Sequence, residues 1–379
     1  MKVLVDAFPL LAPKSGVGYY AFHLLSALRR RFGVSDDVVY FYGRRFSRLI
    51  ADRPPAFDAA VRRTLKRVMT DPYRFTQPFK ELLFRIGTRI IKPDLYHETN
   101  YVLLPFTGPQ VVTVFDLSIK RFPETHPAGR VRFFNKYFDQ RLPRANHIIA
   151  ISEFTKRELI EVMGVEPGKI TVTPLAPPPG FARPSAGELA AFRRAQGFDQ
   201  PFLLYLGNLE PRKNLVMLVR AYASFVARSG PAVPPLVLAG EQTWLSGPLV
   251  EEIDRLGLRS RVVLPGYVPE MELPCWYASA LAFLYPSKYE GFGLPVIEAM
   301  AVGTPVLAAD AASLPEVAGD AAILLPPDDE DAWADAMAAL VDSASSRDVL
   351  SRKGMARAAQ FSWDRCAELT HAVYERVVE

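Results

Sequence analysis

Two acidic residues that flank a glycine-rich segment are the first candidates for chemistry in this sequence. Glu290 and Glu298 lie eight residues apart in the stretch KYEGFGLPVIEAM, residues 288–300. On one continuous helix that spacing would rotate the two carboxylates by about 80° and separate them by ~12 Å along the axis. Such a geometry does not suit two acids that share one task. The spacing therefore indicates that the two carboxylates lie on different elements and have different roles.

The residues around the two acids predict which elements carry them. The apolar run ALAFLYPS, residues 280–287, is typical of a buried strand. Pro295 fits the first turn of a following helix, where its missing N–H costs nothing. Glu290 is therefore predicted in the loop after the strand and Glu298 in the first helical turn. A carboxylate there can accept two hydrogen bonds from a vicinal diol such as a ribose. In the alternative, Glu298 only complements the helix dipole and Glu290 is solvated.

Anion-binding groups accompany the acids. The backbone N–H groups of Phe292, Gly293 and Leu294 would point out of the helix start, where they can bind an anion. Arg212 and Lys213 follow another predicted strand in the stretch YLGNLEPRKNL. Two adjacent cations at a strand end can neutralise a diphosphate leaving group. Alternatively, they form a solvated basic turn in front of a helix.

Alternating strand and helix patterns position these residues. A short apolar run at residues 2–8 precedes Gly16, Gly18 and a helical pattern. Further strands of this first series are predicted at residues 36–43, 94–99, 111–116 and 147–152. Strands of a second series are predicted at residues 202–207, 234–240, 261–266, 280–287, 304–310 and 321–327. The alternation favours two parallel sheets covered by helices, and ligands bind such sheets at the carboxyl ends of the strands.

Composition sets the broad class. The chain of 379 residues is 49% hydrophobic and 23% charged, which is ordinary for a globular protein of about two domains. It contains no run of 18 uncharged apolar residues, and its first residues lack a secretory cleavage pattern. The two cysteines, Cys275 and Cys366, have no metal-ligand spacing. We therefore expect a cytoplasmic protein with buried thiols. No metal ion is expected, because no Asp-x-Asp motif precedes a plausible strand.

The charge is distributed unevenly along the chain. Residues 1–180 carry 28 Lys and Arg against 16 Asp and Glu, a net charge of +12, whereas the remainder has a net charge of −8. A basic half favours an anionic partner. Residues 61–93 combine an apolar stripe with flanking cations. The stripe consists of Phe79, Leu82, Leu83, Ile86 and Ile90, and the cations are Arg62, Arg63, Lys66, Arg67, Arg85 and Arg89. Such a segment can lie on an anionic membrane surface, or it can be an ordinary amphipathic helix with a solvated basic face.

Residues 290–306, EGFGLPVIEAMAVGTPV, resemble the Glu-x7-Glu signature of glycosyltransferase family 4, whose members are retaining sugar-nucleotide transferases. The resemblance extends over the whole chain. It implies an α/β protein of GT-B fold, in which two doubly wound Rossmann-like domains face a central cleft. The expected divisions are an acceptor-binding domain at 1–178, a linker at 179–199, a nucleotide-sugar domain at 200–360, and a C-terminal helix at 361–379 that crosses back to the first domain.

The resemblance also implies roles in the second domain. Arg212 and Lys213 would stabilise the departing diphosphate, Glu298 would hold the ribose, and Glu290 would orient the donor sugar. Backbone around Tyr267 and Val268 would cradle the nucleotide base.

In the first domain, Gly16 and Gly18 match the family's glycine-rich loop, and His97 matches a histidine that faces the donor sugar. Related sequences commonly read His-Asp where this chain has Phe115 and Asp116. The departure removes any role of that histidine in acceptor binding and leaves Asp116 as a candidate acceptor contact. For Gly16 and Gly18 a simple tight turn is the alternative.

The resemblance to mannosyltransferase-like members favours GDP-mannose as the donor over a UDP-sugar, without a metal or other cofactor. A glycan or polyprenyl-linked acceptor is expected, with the enzyme at the inner membrane face. Several alternatives stay open: a UDP-sugar-dependent hexosyltransferase, a sugar-nucleotide epimerase, a phosphorylase, or a non-catalytic sugar-nucleotide sensor. A nucleic-acid partner is not expected, because the sequence has no interleaved aromatic and basic motif.

Overall fold

The computed structural model describes residues 1–11, 16–51, 73–230, 232–241 and 246–379. They form two compact α/β units. Unit 1 comprises Met1–Leu175 and Ser362–Glu379, and unit 2 comprises Ala176–Phe361.

Unit 1 is built on a sheet with the order β3-β2-β1-β4-β5-β6-β7, which has seven strands among the described residues. The strands are β1 Lys2–Asp6, β2 Asp37–Phe41, β3 Phe46–Ser47, β4 Leu95–Glu98, β5 Gln110–Val114, β6 His147–Ala150 and β7 Ile170–Val172. All neighbours pair in parallel except β3, which is antiparallel to β2. The five strands predicted for this series are confirmed. Two were missed, β3 and β7, because two or three residues are too few to show a period.

The helices of unit 1 cover this sheet. They are α1 Gly16–Phe32, α2 Tyr73–Ile91, α3 Ser118–Arg121, α4 Ala128–Arg141, α5 Glu153–Met163 and the C-terminal helix α14 Trp363–Val378. Short 3-10 helices lie at Phe8–Leu11, Pro123–Thr125, Leu142–Arg144 and Pro167–Lys169. The Ser152 hydroxyl caps α5 by accepting a hydrogen bond from Thr155 N at 3.0 Å. Ser152 thus has a structural role in unit 1.

Unit 2 contains a second parallel sheet, with six strands in the described part of the chain and the order β10-β9-β8-β11-β12-β13. The strands are β8 Phe202–Leu206, β9 Leu236–Ala239, β10 Val262–Gly266, β11 Ala280–Tyr285, β12 Val306–Ala309 and β13 Ile323–Leu325. The six predicted strands of the second series are confirmed. The helices are α6 Ala186–Ala195, α7 Leu215–Ser229, α8 Gly247–Arg255, α9 Leu273–Ser279, α10 Leu294–Ala301, α11 Leu314–Ala318, α12 Glu330–Asp342 and α13 Ala344–Ala358, with 3-10 helices at Pro211–Lys213 and Glu270–Glu272.

The segment predicted as a linker, residues 179–199, lies entirely within unit 2. Its helix α6 begins with a capping box, in which the Ser185 hydroxyl accepts from Glu188 N and the Glu188 carboxylate accepts from Ser185 N. The Phe192 ring then packs edge-on against Trp276 of α9, with ring centroids 5.2 Å apart. The prolines of this region obscured a helix that starts just after them.

The C-terminal helix α14 packs in unit 1 against α1. At the start of α14, the ring centroid of Trp363 lies 6.2 Å from that of Tyr20 on α1. Arg31 of α1 forms an ion pair with Glu368 of α14 at 2.5 Å. The chain therefore enters unit 2 once and leaves it once, at residues 175/176 and 361/362. Cys366 on this helix is buried as expected, whereas Cys275 of unit 2 is only partly buried.

Candidate active site

The loop between β11 and α10 carries Glu290, and its shape depends on one glycine. Gly293 precedes α10 with a φ of 94°, a left-handed conformation that favours glycine. A Cβ at this position would also lie 2.6 Å from Leu314 Cδ2. The Ser313 hydroxyl donates to the backbone oxygen of Glu290 at 2.9 Å. Pro295 lies in the first turn of α10, as predicted.

Lys213 and Arg212 contact Glu290 at the end of the sheet where strands β8 and β11 finish. Strands β8 and β11 are parallel neighbours, so the loops that follow them start at the same edge. Lys213 Nζ donates a short hydrogen bond to Glu290 Oε1 and lies 3.2 Å from the Tyr285 hydroxyl. Arg212 Nη1 donates to Tyr289 O at 2.9 Å and lies 3.4 Å from Glu290 Oε2. The predicted cations and the loop acid thus form one cluster, which we call the cation–Glu290 cluster.

The cluster is buried and electrostatically coupled. Burial alone would raise the pKa of Glu290, but the positive charges of Lys213 and Arg212 outweigh it and lower the pKa to about 2. Burial and the charge of Arg212 lower the pKa of Lys213 below its usual range. Arg212 also pairs with Glu210 at 3.0 Å. The site therefore holds two cations at the carboxyl edge of the sheet, each paired with a carboxylate.

Glu298 lies apart from this cluster, on α10. It is the fifth residue of the helix, one turn further than predicted. Its Oε2 accepts a hydrogen bond of 2.9 Å from the Tyr277 hydroxyl. Burial raises the pKa of Glu298 to about 7; the Tyr277 hydrogen bond opposes this rise and the charge of Glu270 adds to it. The pKa values of the two acids are thus shifted in opposite directions, and the separate roles of the two acids stay a prediction.

The other residues predicted in unit 2 lie at the same edge. Phe292, Gly293 and Leu294 lead into α10, where backbone N–H groups have no acceptor in a preceding turn. The Phe292 ring is buried edge-on against Phe361. Tyr267 and Val268 follow β10 at the end of the sheet; Tyr267 is 70% exposed and Val268 is buried.

The structure corrects the prediction of a glycine loop in unit 1. Gly16 and Gly18 already belong to helix α1, with helical backbone. A Cβ on Gly16 would meet nothing within 4 Å, so this position does not require a glycine for space. Neither residue has the positive φ that favours glycine, and close approach of a ligand to their backbone stays a prediction.

The structure likewise does not place the His97 ring where a ligand could reach it. The ring is fully buried, and its two nitrogens lie 2.6 Å from the Tyr374 hydroxyl and 2.8 Å from Thr113 Oγ1. Burial lowers the pKa of His97 to about 3. The ring is a neutral link between β4, β5 and α14, which is a structural role.

Asp116 stabilises a turn in this structure. Its Oδ1 accepts from Ser118 N at 2.9 Å, just before α3. Phe115, which replaces the family's histidine, is buried edge-on against Tyr20, with ring centroids 4.9 Å apart. The substitution of a histidine by phenylalanine thus fills a packed position.

Comparison with known proteins identifies the family. A family model described as Glycosyltransferase Family 4 matches residues 14–176, and one described as Glycosyl transferases group 1 matches residues 190–357. O-antigen chain mannosyltransferase B of Escherichia coli is 32% identical to this chain, over 99% of this chain and 100% of the relative. The chain belongs to glycosyltransferase family 4. It is a glycosyltransferase, and its similarity to mannosyltransferases of O-antigen synthesis agrees with a role in polysaccharide synthesis.

Solved structures show the fold of this family 4 enzyme. Sucrose-phosphate synthase from Thermosynechococcus elongatus superposes with a TM-score of 0.75 at 20% identity, covering 99% of this chain and 98% of that one. Anabaena Alr3699/HepE, in complex with UDP-glucose, has a TM-score of 0.71 at 19% identity and covers 99% and 100%. The predicted GT-B architecture of two Rossmann-like domains is confirmed.

Sequence reasoning missed two tyrosines, Tyr277 and Tyr285, that contact the candidate site residues. Their hydroxyls contact Glu298 and Lys213, and both side chains are otherwise buried among apolar groups. The available signal was a tyrosine inside an apolar strand or helix, since a buried hydroxyl needs a polar partner. Within the described ranges, no group of three or more His, Cys, Asp or Glu side chains is arranged to hold a metal ion.

Proposed function

We propose that this family 4 enzyme transfers mannose from GDP-mannose to a glycan or lipid-linked acceptor with retention of the anomeric configuration. The observation that carries this proposal is the cation–Glu290 cluster, in a chain related over its whole length to an O-antigen mannosyltransferase. GDP-mannose is favoured over a UDP-sugar because that relative is named as a mannosyltransferase.

The cluster suits the departure of a nucleoside diphosphate. Negative charge develops on the diphosphate as its bond to the sugar breaks, and preorganised cations at that position lower the barrier. Arg212 and Lys213 would supply this charge without a metal ion. The acceptor oxygen forms a bond to the anomeric carbon as the phosphate oxygen leaves from the same face, and the acceptor proton passes to that phosphate oxygen. The products are the glycoside and the nucleoside diphosphate.

Glu290 would act in two ways. Its carboxylate holds Lys213 and Arg212 in place, and in the proposed complex it also orients the donor sugar. Glu298 would bind the ribose, and the backbone of Phe292, Gly293 and Leu294 the diphosphate. Backbone near Tyr267 and Val268 would contact the base.

A thermal-shift panel tests the donor. GDP-mannose, GDP, UDP-glucose and UDP are compared with and without EDTA. A donor present at 100 times its dissociation constant adds ~2.7 kcal/mol to the stability of the folded state. We expect the largest shift with GDP-mannose, unchanged by EDTA. A thermal shift with UDP-glucose but not with GDP-mannose would identify UDP-glucose as the donor. Loss of the shift in EDTA would contradict the metal-free mechanism.

We also propose that helix α2 contacts an anionic membrane surface. One face of α2 packs on unit 1, where Lys80 pairs with Asp6 at 2.7 Å and Phe84 is buried. The opposite face is apolar and exposed. Its residues are Phe79, Leu82, Ile86 and Ile90, with exposed fractions of 53, 55, 48 and 76%. Arg85 and Arg89 of the same helix are exposed and would attract anionic headgroups.

The membrane proposal does not involve a spanning helix: across the described ranges, none has both the length and the apolar character to cross a bilayer. Arg62, Arg63, Lys66 and Arg67, which were predicted to take part, lie outside the described residues.

Liposome flotation tests the exposed face of α2. Wild-type protein should float with vesicles that contain anionic lipid at low salt, and a Leu82→Gln/Ile86→Gln variant should not. The matched control is Val349→Gln/Met355→Gln, which changes exposed apolar residues on α13 of unit 2. If wild-type protein did not float with the vesicles, the exposed face of α2 would be solvated and would not bind the membrane.

A further inference from the structure

A buried tyrosine fixes the carboxylate that is assigned to the ribose. The Tyr277 hydroxyl donates to Glu298 Oε2 at 2.9 Å, and both side chains are buried. The described residues place no donor on Glu298 Oε1. The carboxylate thus has one oxygen held by the protein and one that is left for another hydrogen-bond donor.

The Tyr277 ring cannot easily turn away. Its backbone oxygen accepts from Thr304 Oγ1 at 2.7 Å, which ties the end of α9 to the turn after α10. Its ring packs edge-on against Phe283 of β11, with centroids 5.2 Å apart. The Tyr277 side chain is therefore enclosed by apolar groups except at its hydroxyl. This hydroxyl links α9 to α10 through its hydrogen bond to Glu298.

We propose that Tyr277 is a positioning residue for nucleotide recognition: it holds Glu298 through Oε2, so that Oε1 accepts the hydrogen bond from a ribose hydroxyl. This inference rests on the proposed function, since it takes Glu298 as the ribose-binding residue. It assigns Tyr277 no contact with the sugar that is transferred.

The proposed hydrogen bond between Glu298 and the ribose predicts which ligands should bind more weakly when the Tyr277 hydroxyl is removed. A ribose is common to GDP, GDP-mannose and UDP, so loss of the Tyr277 hydroxyl should weaken all three by a similar factor. The chemical step should change little, because the hydroxyl acts on a group far from the bond that breaks in the proposed mechanism. The effect should therefore be on KM and not on kcat.

Calorimetric titration of the full chain tests the inference with Tyr277→Phe. We expect the Kd for GDP to rise about tenfold and the KM for GDP-mannose to rise by a similar factor, with kcat within twofold of wild type. The matched control is Tyr222→Phe, a buried tyrosine of unit 2 whose hydroxyl donates to Pro234 O at 2.9 Å. This control should leave the Kd unchanged.

Two further measurements separate positioning from a general structural defect. With 2′,3′-dideoxy-GDP, which lacks both ribose hydroxyls, Tyr277→Phe should bind as well as wild type. In a Glu298→Ala background, Tyr277→Phe should weaken GDP no further. An equal loss with the dideoxy nucleotide, or a full additional loss in that background, would overturn the inference, as would an unchanged Kd in the single variant. If wild-type protein binds no nucleotide, the proposed function itself fails.

Discussion

Three of the predicted site residues of unit 2 contact one another, whereas two of those in unit 1 contact other parts of the fold. In unit 2, Glu290, Arg212 and Lys213 come from two loops and meet in one cluster. In unit 1, His97 is buried between two hydroxyls and Asp116 closes a turn. Three residues predicted in unit 2 thus contact one another, whereas His97 and Asp116 of unit 1 make contacts that stabilise the fold. We therefore predict that donor binding depends on the unit 2 side chains and tolerates changes at the unit 1 positions.

The largest expected effect is that of Lys213→Ala. Transfer should slow by more than 100-fold, because one charged contact to the leaving group contributes ~3 kcal/mol to the transition state. The free energy of unfolding should also fall by about 3 kcal/mol, since Glu290 loses a partner inside the protein. Steady-state kinetics and urea denaturation measure the two effects.

The double variant Lys213→Met/Glu290→Gln separates activity from stability. It removes both charges of the pair, so it should regain most of the lost stability but none of the transfer activity. Recovery of activity together with stability would show that Lys213 is only a structural residue.

The second effect concerns the pH dependence of stability and arises from Glu298. Its pKa rises from 4.5 to about 7 on folding, so the folded state binds a proton more tightly than the unfolded state. The corresponding stabilisation, about 3 kcal/mol, is fully present below pH 4.5 and is lost as the pH rises to 7. Glu298→Gln should flatten this part of the stability profile, measured by chemical denaturation between pH 4.5 and 8. A profile identical to that of wild type would exclude Glu298 as its source.

A smaller effect is expected in unit 1 from His97→Phe. This change leaves the Tyr374 hydroxyl buried without its partner, which should lower the free energy of unfolding by about 1–3 kcal/mol. The Kd for GDP-mannose should be unchanged, because no ring nitrogen of His97 is available to a ligand. A weaker Kd in a variant of normal stability would restore the role in donor binding that the sequence suggested.

The smallest effect should come from Gly16→Ala. The backbone there is helical and the space is open, so alanine should leave stability unchanged or increase it by up to about 0.5 kcal/mol. Transfer activity should not change. A large loss of activity in a stable variant would mean that a ligand approaches Gly16 closely, as the resemblance implies.

The sequence was sufficient for most of the fold because strands buried in a parallel sheet appear as short apolar runs, as in β8 and β12. It also located Glu290, because Pro295 marks where the loop ends and the helix begins. It did not reveal that His97 binds Tyr374, because the two residues are 277 positions apart and no local pattern relates them. A tyrosine within an apolar helix indicates that the Tyr277 hydroxyl needs a polar partner, but the sequence did not reveal that this partner is Glu298, 21 positions away.

Titration of GDP-mannose into wild type, Lys213→Met/Glu290→Gln and Gly16→Ala/Asp116→Asn shows whether the cation–Glu290 cluster of unit 2 binds the donor diphosphate. We expect the Kd to rise at least tenfold in the Lys213→Met/Glu290→Gln variant and to stay unchanged in the unit 1 variant. An unchanged Kd in the former together with a loss in the latter would contradict this expectation.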